Sequence, residues 1–239
     1  MGRVEAKHVV ITGAAQGIGL GCARVFAAEG ANVSAFDLKP PPGLGEAVFF
    51  QACDVRRREE VDRALAAARA RFGPIDCVLH VAGTAWHADL AHNTDADYDA
   101  MMDVHVRAAF HLLRGVVDEW KARGAGKFIG VTSPAAVRGQ VNGTIYSAAK
   151  SALIGIVRSA ALELAPHGIQ VNAILPMAAT PMTEIARVDP EINARYLARV
   201  PLGRWGEPDE IGRVFLFLAS SDADYITGVV LPVDGGRIL

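Results

Sequence analysis

Residues 8–21 read HVVITGAAQGIGLG. The first five form a continuous apolar run rich in β-branched residues, the pattern of a strand buried on both faces. Gly13, Gly17 and Gly19 follow at G-x-x-x-G-x-G spacing just as a helical pattern opens. Residues without a Cβ permit a tight turn and a close backbone approach. The helix that follows presents free N–H groups and the positive end of its dipole, which suits a pyrophosphate. A glycine-rich loop alone is also ordinary turn chemistry. Its position between a strand and a helix makes dinucleotide binding the expectation.

The same theme repeats along the chain. Apolar runs at 32–37, 47–54, 75–83, 127–133, 169–176 and 228–236 alternate with helical patterns at 17–29, 58–71, 97–123, 145–165 and 208–219. In the first helix Ile18, Cys22, Val25 and Phe26 share one face. Such alternation implies right-handed strand–helix–strand crossovers. The predicted fold is α/β, a doubly wound parallel sheet of about seven strands with helices on both faces, in a single domain over residues 1–239. The stretch LKPPPGLGEA (38–47) carries three consecutive prolines, so the second crossover is expected to be a loop. Residues 177–208 hold helical patches broken by proline between a strand and a helix, as a substrate lid would.

Composition excludes several classes. The chain has 239 residues and a formal net charge of −2, too weak a field to draw nucleic acid or an anionic membrane. No apolar run approaches the ~20 residues of a bilayer span. The N-terminus lacks signal-peptide anatomy, so a cytoplasmic protein is expected. The three cysteines, Cys22, Cys53 and Cys77, have no C-x-x-C spacing and read as buried free thiols. The seven histidines form no metal-binding pattern.

Two further features carry chemistry. In TIYSAAKSAL (144–153), Tyr146 and Lys150 stand four residues apart, on one helical face. Spacing alone allows a half-buried Tyr beside a solvated Lys, or an acid–base pair in which the ammonium lowers the phenol pKa. Asp37 ends the second strand, 18 residues past Gly19. A carboxylate there accepts from a ribose diol and repels a 2′-phosphate, favouring NAD over NADP, although Lys39 weakens the discrimination and a turn-starting Asp reads the same way. Asp54, ending the third strand, either caps a helix beginning near Arg56 or reaches an adenine amine, or does both.

These motifs together resemble the short-chain dehydrogenase/reductase family. They are the Gly13–Gly19 spacing, Tyr146-x-x-x-Lys150, Ser133 at 13 residues before the Tyr, VAG at 81–83, ITG at 226–228 and DGG at 234–236. The resemblance covers essentially the whole chain. It implies a Rossmann-type sheet, a nicotinamide cofactor and alcohol–carbonyl interconversion by hydride transfer. It makes Tyr146 the acid/base, with Lys150 lowering its pKa and holding the nicotinamide ribose, and Ser133 hydrogen-bonding the substrate oxygen. The cofactor site it implies comprises Gly13, Gln16, Gly17, Ile18, Gly19, Asp37, Asp54, Val55, Ala82, Gly83, Tyr146, Lys150, Pro176 and Thr180. It also implies a homotetramer, or a homodimer.

The chain departs from the family at three places. Val81 stands where relatives have Asn. Met177 stands where they have Gly, and should narrow the pocket beside the nicotinamide. His105, in MDVHVRAAF, stands where they have an Asn that supports a water relay. Either His105 takes over the relay and adds its own pH dependence to turnover, or it packs in a modified wall. The substrate wall is expected from Trp86, His87, Gln140, Asn142, Met177 and Met182. Arg187, Arg195 and Arg199 in the lid either bind a substrate carboxylate or form a solvated face. The favoured activity is interconversion of a small secondary alcohol or hydroxy acid and its ketone; the chain also bears a modest similarity to a branch that includes 3-hydroxybutyrate dehydrogenases. An NADPH-dependent 3-oxoacyl reductase is the alternative, supported by PLGRWGEPDEI and opposed by Asp37. A weakly catalytic nicotinamide-binding protein is the alternative of another class.

Overall fold

The computed structural model describes residues 2–44 and 48–239. Residue 1 and residues 45–47 lie outside them, and with these the first residue of the predicted third strand and the end of the Pro-rich loop. The apolar runs become β1 (His8–Thr12), β2 (Asn32–Asp37), β3 (Val48–Ala52), β4 (Cys77–His80), β5 (Gly126–Val131), β6 (Ile169–Pro176) and β7 (Val230–Val233). All pair in parallel, in the order β3-β2-β1-β4-β5-β6-β7. The chain winds outward from β1 in one direction, then resumes from β4 in the other. The crevice at the carboxyl ends of β1 and β4 is therefore the topological switch point where such sheets bind ligands.

The helices are α1 (Gly17–Ala28), α2 (Arg58–Phe72), α3 (Asp95–Met102), α4 (Ala108–Arg123), α5 (Ala135–Arg138), α6 (Thr144–Leu164), α7 (Glu184–Val188), α8 (Pro190–Leu197) and α9 (Pro208–Ala219). Each face of the sheet has its own core. On one side Leu65 of α2, Leu112 and Trp120 of α4 and Leu153 of α6 pack over Val10, Val78 and Phe128. On the other, Phe26 of α1 and Phe215 of α9 cover Ile11, Leu79 and Ile174. Strands buried on both faces explain why they read as unbroken apolar runs. Residues 38–44 contain no helix, in keeping with the prolines.

The structure corrects three expectations. The run 75–83 pairs only over Cys77–His80, because the N–H groups of Val81 and Ala82 turn to the Thr12 hydroxyl at 3.2 and 3.1 Å. The helix expected over 97–123 is interrupted by a π-turn at Asp103–Arg107. The segment Thr144–His167 does have the length and hydropathy of a membrane span, but it is the core helix that packs Leu153, Val157 and Leu164 against the sheet. The three cysteines are free and buried, and burial pushes the Cys53 and Cys77 thiols up to about 12.

Trp120 anchors the first core. It is fully buried and its indole N–H donates to the Ile75 carbonyl at 2.7 Å. Trp120→Ala is expected to cost about 3–5 kcal/mol in urea unfolding. A loss below about 1 kcal/mol would mean the cavity collapses freely.

Candidate active site

A cleft of about 1340 Å³ opens at the switch point. Every site residue assigned from the sequence lines it except Trp86 and His105. Trp86 is partly exposed, and its indole N–H donates to Asn93 at 3.1 Å, which holds the ring away from the cleft. His105 is almost fully buried behind the wall; a Cβ on Gly83 would stand 2.4 Å from its ring.

The glycine loop has the shape its spacing implies. Gly13 adopts φ +70°, and a Cβ there would fall 2.7 Å from the Ala82 backbone. A Cβ on Gly19 would fall 2.0 Å from the Gly13 carbonyl oxygen. The N-cap residue Gln16 makes no side-chain cap bond, so the first N–H groups of α1 keep their hydrogen-bonding capacity. Gly17, Ile18 and Gly19 line the cleft. This donor set fits a pyrophosphate. Asp37 is fixed by three backbone donors: Ala15 at 2.9 Å on one oxygen, Leu38 at 2.7 Å and Lys39 at 3.3 Å on the other. A carboxylate has about four lone-pair sites, so capacity remains for a diol.

Asp54 does not cap a helix. The next helix begins at Arg58, and the Asp54 carboxylate instead holds the Arg56 side chain at 2.7 Å and its N–H at 3.1 Å. The Arg56 bond keeps the Asp54 pKa below the usual range. The cleft therefore gains little net charge from this pair.

At the other end stand Ser133, Tyr146 and Lys150. Lys150 is fully buried and donates to the Val131 carbonyl at 2.9 Å; burial lowers its pKa from 10.5 to about 7. Its ammonium lies 5.8 Å from the Tyr146 ring centroid. The expected lowering of the phenol pKa is not what this arrangement gives. Burial raises the Tyr146 pKa, the Ser133 hydroxyl opposes that, and the Tyr196 phenol adds to it. Burial is the largest cause, and the ammonium is hydrogen-bonded to the Val131 carbonyl. His87 sits 6.3 Å from the Tyr146 ring, and its Nδ1 accepts from the Gln140 side-chain amide at 3.2 Å. Thr180 stands against the glycine loop, 3.3 Å from where a Gly17 Cβ would be. Met177 is buried in the wall, as its replacement of a glycine suggested.

The lid arginines separate. Arg195 and Arg199 line the cleft, while Arg187 turns to the Thr180 carbonyl at 3.4 Å. The cleft residues that the sequence reading did not single out include Arg138, Tyr196 and Arg237. Only the position of Arg237 directly after the DGG turn offered a signal.

The profile of the family described as Enoyl-(Acyl carrier protein) reductase matches residues 13–237. The chain is 34% identical over 247 residues to 3-oxoacyl-[acyl-carrier-protein] reductase FabG of Thermotoga maritima, covering 99% of this chain and 100% of that one. It is 33% identical over 242 residues to 2-dehydro-3-deoxy-D-gluconate 5-dehydrogenase of Escherichia coli K12, covering 98% and 96%. The crystal structure of 3-ketoacyl-(acyl-carrier-protein) reductase from Brucella melitensis complexed with NADH superposes with a TM-score of 0.90 at 30% identity, covering 99% and 100%.

His105 bears a definite tautomer. Its Nε2 is 2.8 Å from the Thr84 carbonyl and so carries the proton; the Thr84 N–H, at 3.4 Å from the same nitrogen, is not its partner. The Nδ1 is buried without a donor. Burial, with the Lys150 charge second, holds its pKa well below 6.5. Burial therefore favours the neutral form of His105 and opposes the expected titration. The pH–rate profiles of wild type and His105→Asn should share their inflections between about pH 6 and 8. An inflection near about pH 6.5 in wild type alone would overturn this.

Proposed function

The chain belongs to the short-chain dehydrogenase/reductase family, an NAD(P)-dependent oxidoreductase family acting on alcohols and ketones, and on that premise we propose that it interconverts a small secondary alcohol or hydroxy acid and its ketone with NAD(H). The observation that carries the reading is the convergence of Ser133, Tyr146 and Lys150 on the cleft whose other end holds the glycine loop and Asp37. The nicotinamide supplies the hydride acceptor or donor. Ser133 orients the substrate oxygen, and Tyr146 takes its proton during oxidation and returns it during reduction. Lys150 in its charged form stabilises the phenolate. Asp37 favours NAD, since Arg56 is engaged by Asp54 and offers little to a 2′-phosphate.

Identity to a 3-oxoacyl reductase over the full length supports a second reading, NADPH-dependent reduction of a 3-oxoacyl substrate. We further propose one catalytic domain with residues 177–208 as its lid; α8, within that segment, brings Tyr196 to the cleft. A cytoplasmic setting accords with the free buried cysteines. A homotetramer or homodimer accords with the exposed Phe110 on α4 and Leu162 on α6.

Titration with NADH and, separately, NADPH tests the cofactor reading. NADH should bind at least about tenfold more tightly, and Asp37→Ala should erase most of that preference. Preference for NADPH in wild type would favour the second reading. Tyr146→Phe should lower kcat about 10²- to 10⁴-fold while NADH still binds. Retained turnover would remove Tyr146 as the acid/base.

A further inference from the structure

Arg237 is held in the cleft by contacts that leave its charge unanswered. The two glycines before it, Gly235 and Gly236, have φ +66° and +88° and turn the chain back after β7. The adjacent carboxylate, Asp234, is spent on that turn: its oxygens accept from the N–H groups of Gly236 and Ile238, both at 3.0 Å. The Arg237 guanidinium instead lies over the Tyr196 ring at 4.4 Å, with Nη1 at 3.5 Å from the Met177 sulfur. Its Nε is buried without an acceptor. Neither an aromatic face nor a thioether neutralises a cation.

The neighbours have the same sign. Arg138 donates to the Arg237 carbonyl at 3.0 Å, and Arg199 is close enough to disfavour the Arg237 charge. Among the described residues none of these three arginines pairs with a carboxylate, whereas Arg24, Arg56, Arg69 and Arg204 all do. The acidic residues of the cleft, Asp37 and Asp54, belong to its cofactor end. Like charges gathered beside a part-buried guanidinium are unfavourable unless an anion joins them.

The site is also aimed. Tyr196 stacks on Trp205 at 5.4 Å, and the Trp205 N–H donates to Asn193 at 2.8 Å, so the platform under Arg237 is braced. Tyr196 bears on the ionisation of both Tyr146 and Arg237. The ring under the unanswered guanidinium therefore lines the same cleft as the phenol.

We propose that Arg237 binds a carboxylate of the substrate, so that the enzyme acts on a hydroxy acid and its oxo acid rather than on a neutral alcohol. The inference rests on the reading of the cleft as a hydride-transfer site. A planar guanidinium grips a carboxylate through two parallel N–H donors, fixing direction as well as charge. The braced position of Arg237 then sets which carbon of the acid meets Tyr146.

The test is a panel of three- to six-carbon hydroxy acids, each paired with its uncharged carboxamide and assayed with the preferred cofactor. Wild type should prefer the best acid over its amide by about 10- to 100-fold in kcat/KM. In Arg237→Gln that ratio should fall toward unity, with the loss in KM for the acid. A second measurement needs no turnover: butyrate and succinate, unlike butyramide and succinamide, should raise the thermal midpoint of the wild-type NADH complex but not that of the variant. Equal treatment of acids and amides by wild type, or an acid preference that survives Arg237→Gln, would overturn the inference. NADH titration in parallel separates the two failures. Oxidation of neutral alcohols by NAD as fast as of the acids, with NADH binding intact in the titration, sinks the carboxylate alone, while no cofactor binding sinks the proposed function beneath it.

Discussion

A buried ammonium with one protein acceptor organises the catalytic end of this molecule. Lys150 donates to the Val131 carbonyl at the end of β5, and the Thr132 hydroxyl returns a bond to the Lys150 carbonyl at 3.0 Å. These two ties fix α6 against the tip of the strand that delivers Ser133. Tyr146, one helical turn before Lys150, is thereby set on the cleft wall. The arrangement is costly, because an ammonium out of water needs more than one carbonyl. The fall of the Lys150 pKa to about 7 expresses that cost. Between that value and 10.5 the unfolded chain holds a proton the folded chain has shed, so this group favours folding more as pH rises through the window.

The phenol's ionisation is opposed by the same burial that costs the ammonium. The pKa of the Tyr146 phenol is raised by burial, and Lys150 donates to the Val131 carbonyl. Anything that adds acceptors around Lys150 favours its charged form. On the proposed reading, then, cofactor binding and activation of Tyr146 are linked through Lys150. Bringing two residues together by i,i+4 spacing is a matter of helix geometry; their mutual effect depends on where each polar atom points.

That distinction marks what the sequence made legible. The strands followed from apolar runs, because burial on both faces leaves no polar alternation to blur them. The glycine loop followed because only glycine tolerates a neighbour at the distances Gly13 and Gly19 impose. Other features had no local cause to read. The π-turn around His105 leaves the apolar periodicity of its helix intact, so nothing in MDVHVRAAF announces it. Trp86 lies in the expected segment, and one hydrogen bond to Asn93 takes it elsewhere. Arg237 is 87 residues from Lys150 in the chain, and its place beside Tyr196 exists only once β7 and α8 have met around the cleft.

A net charge of −2 suggests a protein indifferent to charged ligands. The cleft is not indifferent, because its charges are segregated. Asp37 presents a carboxylate at one end, whereas Arg138, Arg199 and Arg237 gather at the other. Discrimination requires a difference in affinity between competing ligands, and a repulsive group serves that purpose as well as an attractive one. On the proposed reading Asp37 works by repulsion, against an extra phosphate, and Arg237 by attraction, toward a carboxylate. Each demand can be met separately because Lys150, hydrogen-bonded to a neutral carbonyl at 2.9 Å, is committed to neither.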